Sequence, residues 1–551
     1  MSDNLCALCE KPAERKCSSC KFVHYCTVEH QKEHWKEHKK VCRPYEISTS
    51  EELGRHIVAT RDLERGDVIF SEIPLIFGPK PHLIESGPVP CVGCCKILNQ
   101  DIADQCEDCL WPCCSRECDG LKDPSRHALE CKILRLRQGG IQSAKTFYDY
   151  FRFDILIILR ALLLQKTNTE KWNQLMELEA HLGKRGQGSK IHRIIDEKVK
   201  YLQTHYLNPL KAYEQEIKKT IIPTVDTKTL HKIYGILDVN ATELTDDIDA
   251  EILYLTASLI EHNCTPNTIQ TIENANNKYR IIFRAALPIK KGEHITSMYT
   301  HILWGTISRR EHLWERKYFR CTCNRCKDPT EFGTNLSGLK CMGTEKQPCG
   351  GLQLPVNPTE QNPSWTCDKC KISLPNEDVM EFVNHLGSEV DKILSKQPDL
   401  KELEDMLGKL LVFLHSNHYH VYTIKHSLVQ LYGRNGQVTE DILMKKVEMC
   451  DELLGITKKL DPGNARLSMY LAVLLNELYM GKFGLLERKF TKDTKENFSE
   501  DVDNIKKILR EASEALKYEI GSASGEKLNE VICMNEINFL KWMRENEMAN
   551  K

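Results

Sequence analysis

The sequence lacks a long apolar run. Its most apolar stretch, Ile155 to Gln165, is broken by Arg160 and is far shorter than the ~20 residues a bilayer-spanning helix needs. It reads as a buried helix, and no membrane association is expected. The sequence also lacks charge of one sign: 76 Lys plus Arg against 78 Asp plus Glu leave a net charge of -2. No global positive field draws the chain to nucleic acid or acidic lipid, so no direct nucleic-acid partner is expected. The opening Met-Ser-Asp-Asn-Leu-Cys has no basic segment followed by an apolar stretch and a small-residue cleavage site, which predicts an intracellular protein. Lysine-rich stretches are dispersed, and both nucleus and cytoplasm fit. With 41% apolar and 28% charged side chains over 551 residues, the chain is no disordered tail and has room for roughly three to five domains.

What is present in excess is cysteine, 25 residues gathered in short pairs, a pattern of metal binding and not of a disulfide framework. Between Cys6 and Cys42 stand eight potential ligands: Cys6, Cys9, Cys17, Cys20, Cys26, His30, His38 and Cys42. Two tetrahedral zinc ions need eight donors. Interleaving is expected, with Cys6, Cys9, Cys26 and His30 on one ion and Cys17, Cys20, His38 and Cys42 on the other. His24 and His34 are expected to be solvent groups. A second block repeats the order with Cys91, Cys94, Cys106, Cys109, Cys114, Cys118, His127 and Cys131. Cys91, Cys94, Cys114 and Cys118 should share one of its two ions, leaving Cys95 and Cys113 over. Cys321, Cys323 and Cys326 are one donor short of a tetrahedron, and Cys264 is the nearest unassigned thiol. Cys341, Cys349, Cys367 and Cys370 suit a zinc ribbon flanked by Trp365, against the alternative of unpaired cysteines. Cys450 and Cys533 lie on amphipathic helices and read as core residues.

Between these blocks the pattern changes several times. Arg55 to Thr60 and Asp67 to Ser71 read as strands joined by the Glu64-Arg-Gly66 turn. Residues 143 to 215 read as helical, and strands and tight turns are expected between 231 and 300. Beyond about residue 380 serial amphipathic helices should form an antiparallel array. One runs from Leu467 to Leu478; another carries Val502, Ile505, Ile508, Leu509, Ala512 and Leu516 on one face, with Asp501 placed to cap it.

Trp111-Pro-Cys-Cys-Ser-Arg-Glu-Cys118 and Tyr25-Cys-Thr-Val-Glu-His30 resemble elements of the MYND zinc finger. Gly54-Arg-His-Ile-Val-Ala-Thr resembles the opening of a SET domain. Glu261-His-Asn-Cys-Thr-Pro-Asn267 and Gly292-Glu-His-Ile-Thr-Ser-Met-Tyr299 resemble its two core motifs, and Cys321-x-Cys323-x2-Cys326 the post-SET triplet. In this order, with Asn417-His-Tyr-His420, Tyr432-Gly433 and Asp461-Pro-Gly-Asn464 toward the carboxyl end, the chain resembles the SMYD family of SET and MYND proteins. The extra finger before the SET opening resembles the arthropod SmydA branch. The resemblance implies a multidomain α+β protein: an N-terminal MYND finger over 1–46, the first SET part over 47–90 and an inserted MYND finger over 91–131. A helical insertion (132–230), a mainly β SET core (231–302), a post-SET zinc cluster and ribbon (303–375) and a helical, TPR-like domain (376–551) would follow.

By the same resemblance the protein is a protein-lysine N-methyltransferase using S-adenosylmethionine, on a histone or non-histone substrate, with five or six zinc ions per chain. Tyr299 would be the catalytic tyrosine. Gly54, Arg55, His56, Asn240 in a Gly235 to Asn240 turn, Glu261, His262 and Phe319 would contact the cofactor, and Lys317 or Tyr318 would line the lysine channel. MYND modules imply protein partners, among them proline-containing peptides. Three departures bear on the chemistry. Glu261 replaces an asparagine, and an ionised carboxylate accepts hydrogen bonds but cannot donate. His56 replaces a glycine where backbone approaches ligand, and Lys317 replaces a second channel tyrosine, adding a cation unless burial depresses its pKa. The competing reading is a catalytically weak or inactive adaptor that recruits proteins, for instance in transcriptional repression.

Overall fold

The computed structural model describes residues 5–18, 23–80, 88–99, 103–137, 151–244, 248–274, 278–344, 349–434, 438–492, 498–519 and 523–546. It is a mixed α+β protein with a mainly β central region and a helical carboxyl-terminal region. The central region is a set of small sheets. Thr268–Glu273 pairs antiparallel with Arg280–Ala285, which pairs with Val68–Glu72 on its other side. Ala250–Leu253 lies between Thr242–Leu244 and Ile76–Pro79. Gly54–Ala59 pairs with Tyr45–Ser50, a strand the sequence reading had not marked. Alternate Ile57, Ala59, Ile69, Phe77, Ile252, Ile281 and Phe283 side chains close one core between these sheets.

Two connections position the site. Glu261–His262 runs parallel to Thr296–Ser297, and Ile295 N–H donates to the Ile57 carbonyl (2.9 Å) from the other side. The 293–299 segment is thereby threaded between the 54–59 strand and the 261–263 segment. Asn267 locks the crossing: its Nδ2 donates to the His294 carbonyl (2.8 Å) and its Oδ1 accepts from Thr296 N–H (2.8 Å). A side-chain amide suits this because it donates and accepts at once.

A helix, Leu156–Thr167, packs on the sheets, and its residues 156 to 163 are all buried, Arg160 included. Gly78 permits that contact, since a Cβ there would stand 2.7 Å from Ile157 Cβ. Arg160 does not break the stretch because its guanidinium is fully paired in the interior. It donates to both Glu130 carboxylate oxygens (2.9 and 2.7 Å) and to the Phe77 and Val92 carbonyls (2.8 and 2.7 Å).

Three expectations need correction. Thr227–Asn240 is a helix capped by Asp226, so Gly235 and Asn240 lie in no turn; Leu230, Ile233, Tyr234 and Leu237 supply a buried face of helical period that outweighs Gly235. Ser499–Ala515 starts ahead of Asp501, which sits in its first turn and pairs with Lys489 (3.3 Å) instead of capping. Cys450 is buried, but Cys533 is exposed: Ile532, Phe539 and Met543 are the buried face of Ala523–Glu545, and position 533 is rotated about 100° from Ile532.

The carboxyl-terminal helices are Asn376–Leu394, Leu400–Phe413, Tyr419–Leu431, Glu440–Leu460, Ser468–Lys492, Ser499–Ala515 and Ala523–Glu545. Each packs against its neighbour in sequence. Val502, Ile505, Ile508, Leu509, Ala512 and Leu516 are all buried. His418 caps its helix by accepting from His420 N–H (3.2 Å), and His420 Nε2 meets the Val383 carbonyl (3.2 Å); both are packing histidines.

Candidate functional site

Five groups of four donors come together, the ligand atoms of each lying within 4.8 Å of one another: Cys6, Cys9, Cys26 and His30; Cys91, Cys94, Cys114 and Cys118; Cys106, Cys109, His127 and Cys131; Cys264, Cys321, Cys323 and Cys326; and Cys341, Cys349, Cys367 and Cys370. Four soft donors converging on one point, most of them buried, fit a tetrahedral zinc ion. Of the remaining expected set, Cys17 and Cys42 sulfurs stand 3.7 Å apart and His38 is buried nearby among Tyr25, His34 and Trp35; Cys20 lies outside the described residues. His34 is not a solvent group, because the Tyr25 hydroxyl bonds its Nδ1 (3.0 Å). Cys95 and Cys113 are fully buried core thiols. Glu130 Oε1 reaches His127 Nδ1 (3.4 Å), the carboxylate support that orients a ligating imidazole.

The Cys264 group joins two stretches far apart in sequence, with Cys264 Sγ 3.5 Å from Cys326 Sγ and 3.9 Å from Cys321 Sγ. Arg309, with no exposed side chain, donates from Nε to Cys264 Sγ (3.3 Å) and from Nη1 to Glu331 (2.7 Å). Arg325 completes the group on the same Glu331 oxygen (2.9 Å). Four thiolates around a divalent ion carry a net charge of -2, and a buried guanidinium donating to sulfur offsets part of it.

This closure brings residues 317–321 beside 260–264 and 296–299. Tyr299 is half-buried. Its N–H donates to His262 Nδ1 (3.0 Å), its ring lies 5.4 Å from that of His262, and its hydroxyl donates to the Ile260 carbonyl. Burial and then the Glu261 charge push its phenol above the ordinary range, so it stays protonated. The Phe319 ring lies 5.9 Å from that of His262, tilted by 55°. Glu261 Oε1 bonds His294 Nδ1 (2.9 Å), while Oε2 is buried with no hydrogen-bond partner. An orphaned carboxylate oxygen is an unmet acceptor that an ammonium group would satisfy.

The other departures are placed as follows. His56 is tied back by Nδ1 to the Gly54 carbonyl (3.0 Å) and stacks on His294 (4.7 Å, 16°), its side chain buried in the wall. Gly54 has φ +66°. Arg55 turns its guanidinium to Glu177 (3.1 Å). Asn240 Nδ2 donates to the Glu179 and Ile236 carbonyls (2.8 Å each). Lys317 Nζ stands 5.5 Å from the centroid of the Tyr299 ring and donates to the Val239 carbonyl; burial pulls its pKa below the ordinary lysine value. Tyr318, at φ +63°, carries its side chain to His181 (4.9 Å) and Arg185 (3.1 Å).

Several residues escaped the sequence reading. His294 sits in the Gly292 to Tyr299 motif and could have been suspected. Arg466 could not: it enters from the helical region and donates to Ser297 Oγ and to Gln270 Oε1 (3.3 Å). The Asp461 carboxylate holds its turn by accepting from the N–H groups of Ala465, Arg466 and Leu467 (2.8, 2.7 and 2.7 Å). Among the described residues no helix is long and apolar enough to cross a membrane.

Residues 6–42 match the MYND finger family and residues 54–300 the SET domain family. The chain thus carries a MYND match followed by a SET match. It is 29% identical over 351 residues to the SET domain-containing protein SmydA-8, isoform A, of Drosophila melanogaster, covering 61% of this chain and 67% of that one. It is 26% identical over 400 residues to the histone-lysine N-methyltransferase ASHR1 of Arabidopsis thaliana, 69% and 75% covered. To the histone-lysine N-methyltransferase SMYD3 of Homo sapiens it is 24% identical over 300 residues, 53% and 64% covered. This SET and MYND architecture is consistent with a SMYD family protein of SmydA-like form.

Proposed function

We propose that the protein is an S-adenosylmethionine-dependent protein-lysine N-methyltransferase acting on a histone or non-histone protein. The observation that carries this is the placement of Tyr299, a protonated phenol held on the Ile260 carbonyl where three distant segments meet behind the Cys264 thiol group. Relatives of this architecture are named histone-lysine methyltransferases. In this reading Gly54, Arg55, His56, Asn240, Glu261, His262 and Phe319 hold the cofactor, and Lys317 borders the acceptor channel. When bound, the cofactor supplies an electrophilic methyl group on a positively charged sulfur. Glu261 Oε2 takes up its ammonium group, and the Tyr299 hydroxyl and the Ile260 carbonyl orient the acceptor amine. The half-buried aromatic walls of Tyr299 and Phe319 strip water from that amine and hold it in line.

Zinc fits the five gathered donor groups, and the set containing Cys17, His38 and Cys42 would bring the total to six ions. Zinc there supplies cross-links and no chemistry. The fingers serve as docking modules for proline-containing peptides, the seven carboxyl-terminal helices as a TPR-like surface, and the protein works inside the cell, in nucleus or cytoplasm. One observation favours a second reading, an adaptor without efficient catalysis: the Lys317 amine already lies over Tyr299. Calorimetric titration of the zinc-loaded protein with S-adenosylhomocysteine separates the two. The enzyme binds it with micromolar affinity and loses about 10²-fold in turnover in the Tyr299→Phe variant. Absence of binding at millimolar ligand leaves the adaptor alone. Metal analysis of Cys264→Ser should show one zinc fewer than the parent chain.

A further inference from the structure

Lys317 ends the Thr306–Lys317 helix, and its side chain, unlike those of its exposed neighbours Glu315 and Arg316, turns inward. Two contacts define where the amine is. Nζ lies on the face of the Tyr299 ring, 5.5 Å from its centroid, and it donates to the carbonyl of Val239, one residue before Asn240. The amine therefore bridges the wall assigned above to the cofactor and the tyrosine assigned to catalysis. No carboxylate pairs with it among the described residues: Asp238, which might have, pairs with Arg185, and Glu243 pairs with Lys80. This lysine has no carboxylate partner among the described residues, and burial lowers its pKa from the ordinary lysine value, which brings the neutral amine closer to reach. Its neighbour Tyr318 is fixed elsewhere by the Arg185 and Lys184 contacts (3.1 and 2.8 Å), so the backbone presents Lys317 alone to this space.

We propose that Lys317 is an acceptor for the protein's own chemistry and becomes N-methylated in cis at the face of Tyr299. The proposal rests on the methyltransferase reading. In the step, the Nζ lone pair forms the new N–C bond to the methyl carbon of S-adenosylmethionine as the C–S bond breaks. The bonding pair returns to sulfur, leaving the neutral thioether, and the positive charge passes from sulfonium to methylammonium, so charge balances without a further reactant. Delivery by the chain makes the reaction unimolecular in protein.

The test uses the full-length, zinc-loaded protein with S-(trideuteromethyl)-adenosylmethionine, followed by peptide mapping. A single deuterated methyl increment should appear on Lys317, at a rate unchanged when the protein is diluted about a hundredfold. Lys317→Arg should lose the increment, and Tyr299→Phe should slow it about tenfold or more. A second readout needs no turnover: in competitive labelling with acetic anhydride, Lys317 of the parent protein should be acetylated more slowly when S-adenosylhomocysteine is present. If calorimetry shows S-adenosylhomocysteine binding while Lys317 gains neither the methyl group nor protection, self-methylation is overturned and the methyltransferase reading survives. If no binding is seen, both fall. A label whose rate rises with protein concentration also overturns the proposal, since it marks reaction between copies.

Discussion

Replacing Arg160 by methionine removes the guanidinium that joins the second cysteine block, at Val92 and Glu130, to the Ile76–Pro79 strand and the Leu156–Thr167 helix. Its side chain is 2% exposed and that of Glu130 is fully buried. The substitution keeps the apolar stem and takes the guanidinium away from the Glu130 carboxylate, which retains its longer contact to His127 Nδ1 (3.4 Å), and from the carbonyls of Phe77 and Val92. Breaking a buried pair from one side costs about 3–5 kcal/mol, which corresponds to roughly 10²- to 10⁴-fold in the opening equilibrium. Because a chain of this size does not unfold in one step, the assay is native-state hydrogen exchange of the Leu156–Thr167 helix, which reads local opening. Arg160→Met should accelerate exchange there by that factor. The pair Glu130→Gln with Arg160→Met should recover more than half of the loss on a free-energy scale, because no charge is left buried. A loss below about 1 kcal/mol in the single variant, the range of exposed pairs, would refute the claim that this bridge braces the fold.

Two further outcomes follow from the helical region. Burial pulls His426 down to about 4 and His420, against the opposing pull of the Val383 carbonyl, to about 4, from an ordinary 6.5. The unfolded chain binds more protons across that window, so the stability these residues confer is complete above about pH 6.5 and is lost as pH falls toward 4; urea midpoints of the helical signal should fall through that range, and less steeply in His426→Gln. In Arg466→Ala the Ser297 anchor two residues before Tyr299 is gone, so turnover should fall about tenfold with S-adenosylhomocysteine affinity retained, and Arg466→Lys should restore part of it; equal losses in both quantities would refute a positioning role.

How much of this could be read from the residues alone depended on the kind of signal. Cysteine and histidine donors repeat at short fixed spacings in the sets containing Cys6 and Cys91, which were visible in one dimension, whereas the long gap from Cys341 to Cys349 left unpaired cysteines as an alternative. Cys264 was assigned by elimination and motif, and the structure does gather its sulfur with those of Cys321, Cys323 and Cys326. The amphipathic carboxyl-terminal helices were visible because 3.6-residue periodicity is local. The Thr227–Asn240 helix was missed because Gly235 suggested a turn, whereas that glycine serves contact: a Cβ would lie 2.8 Å from the Ala180 carbonyl oxygen. Cys533 was misplaced because helix phase, and not residue type, decides which side is buried. The opposite directions taken by Lys317 and Tyr318 follow from one left-handed residue that no composition announces.

Buried arginines were the least legible feature and explain how a site assembled from remote segments stays together. On a helix they look like ordinary surface charge. Yet Arg160 ties carbonyls at 77 and 92 to Glu130, and Arg310 reaches the carbonyls of Cys321 (3.0 Å), Pro358 (2.7 Å) and Glu360 (2.8 Å). Arg309 joins Cys264 to Glu331, and Arg466 joins the helical region to Ser297. A guanidinium has five donors in a rigid plane, so one residue can satisfy several carbonyls from chain segments that share no hydrogen-bonded sheet. Each such brace meets a segment that also carries a thiol group or the Tyr299 motif. The cysteine and histidine groups bring remote segments together, and the arginines tie the same segments by hydrogen bonds. His56, Glu261 and Lys317 are in turn tied to the Gly54 carbonyl, to His294 and to the Val239 carbonyl.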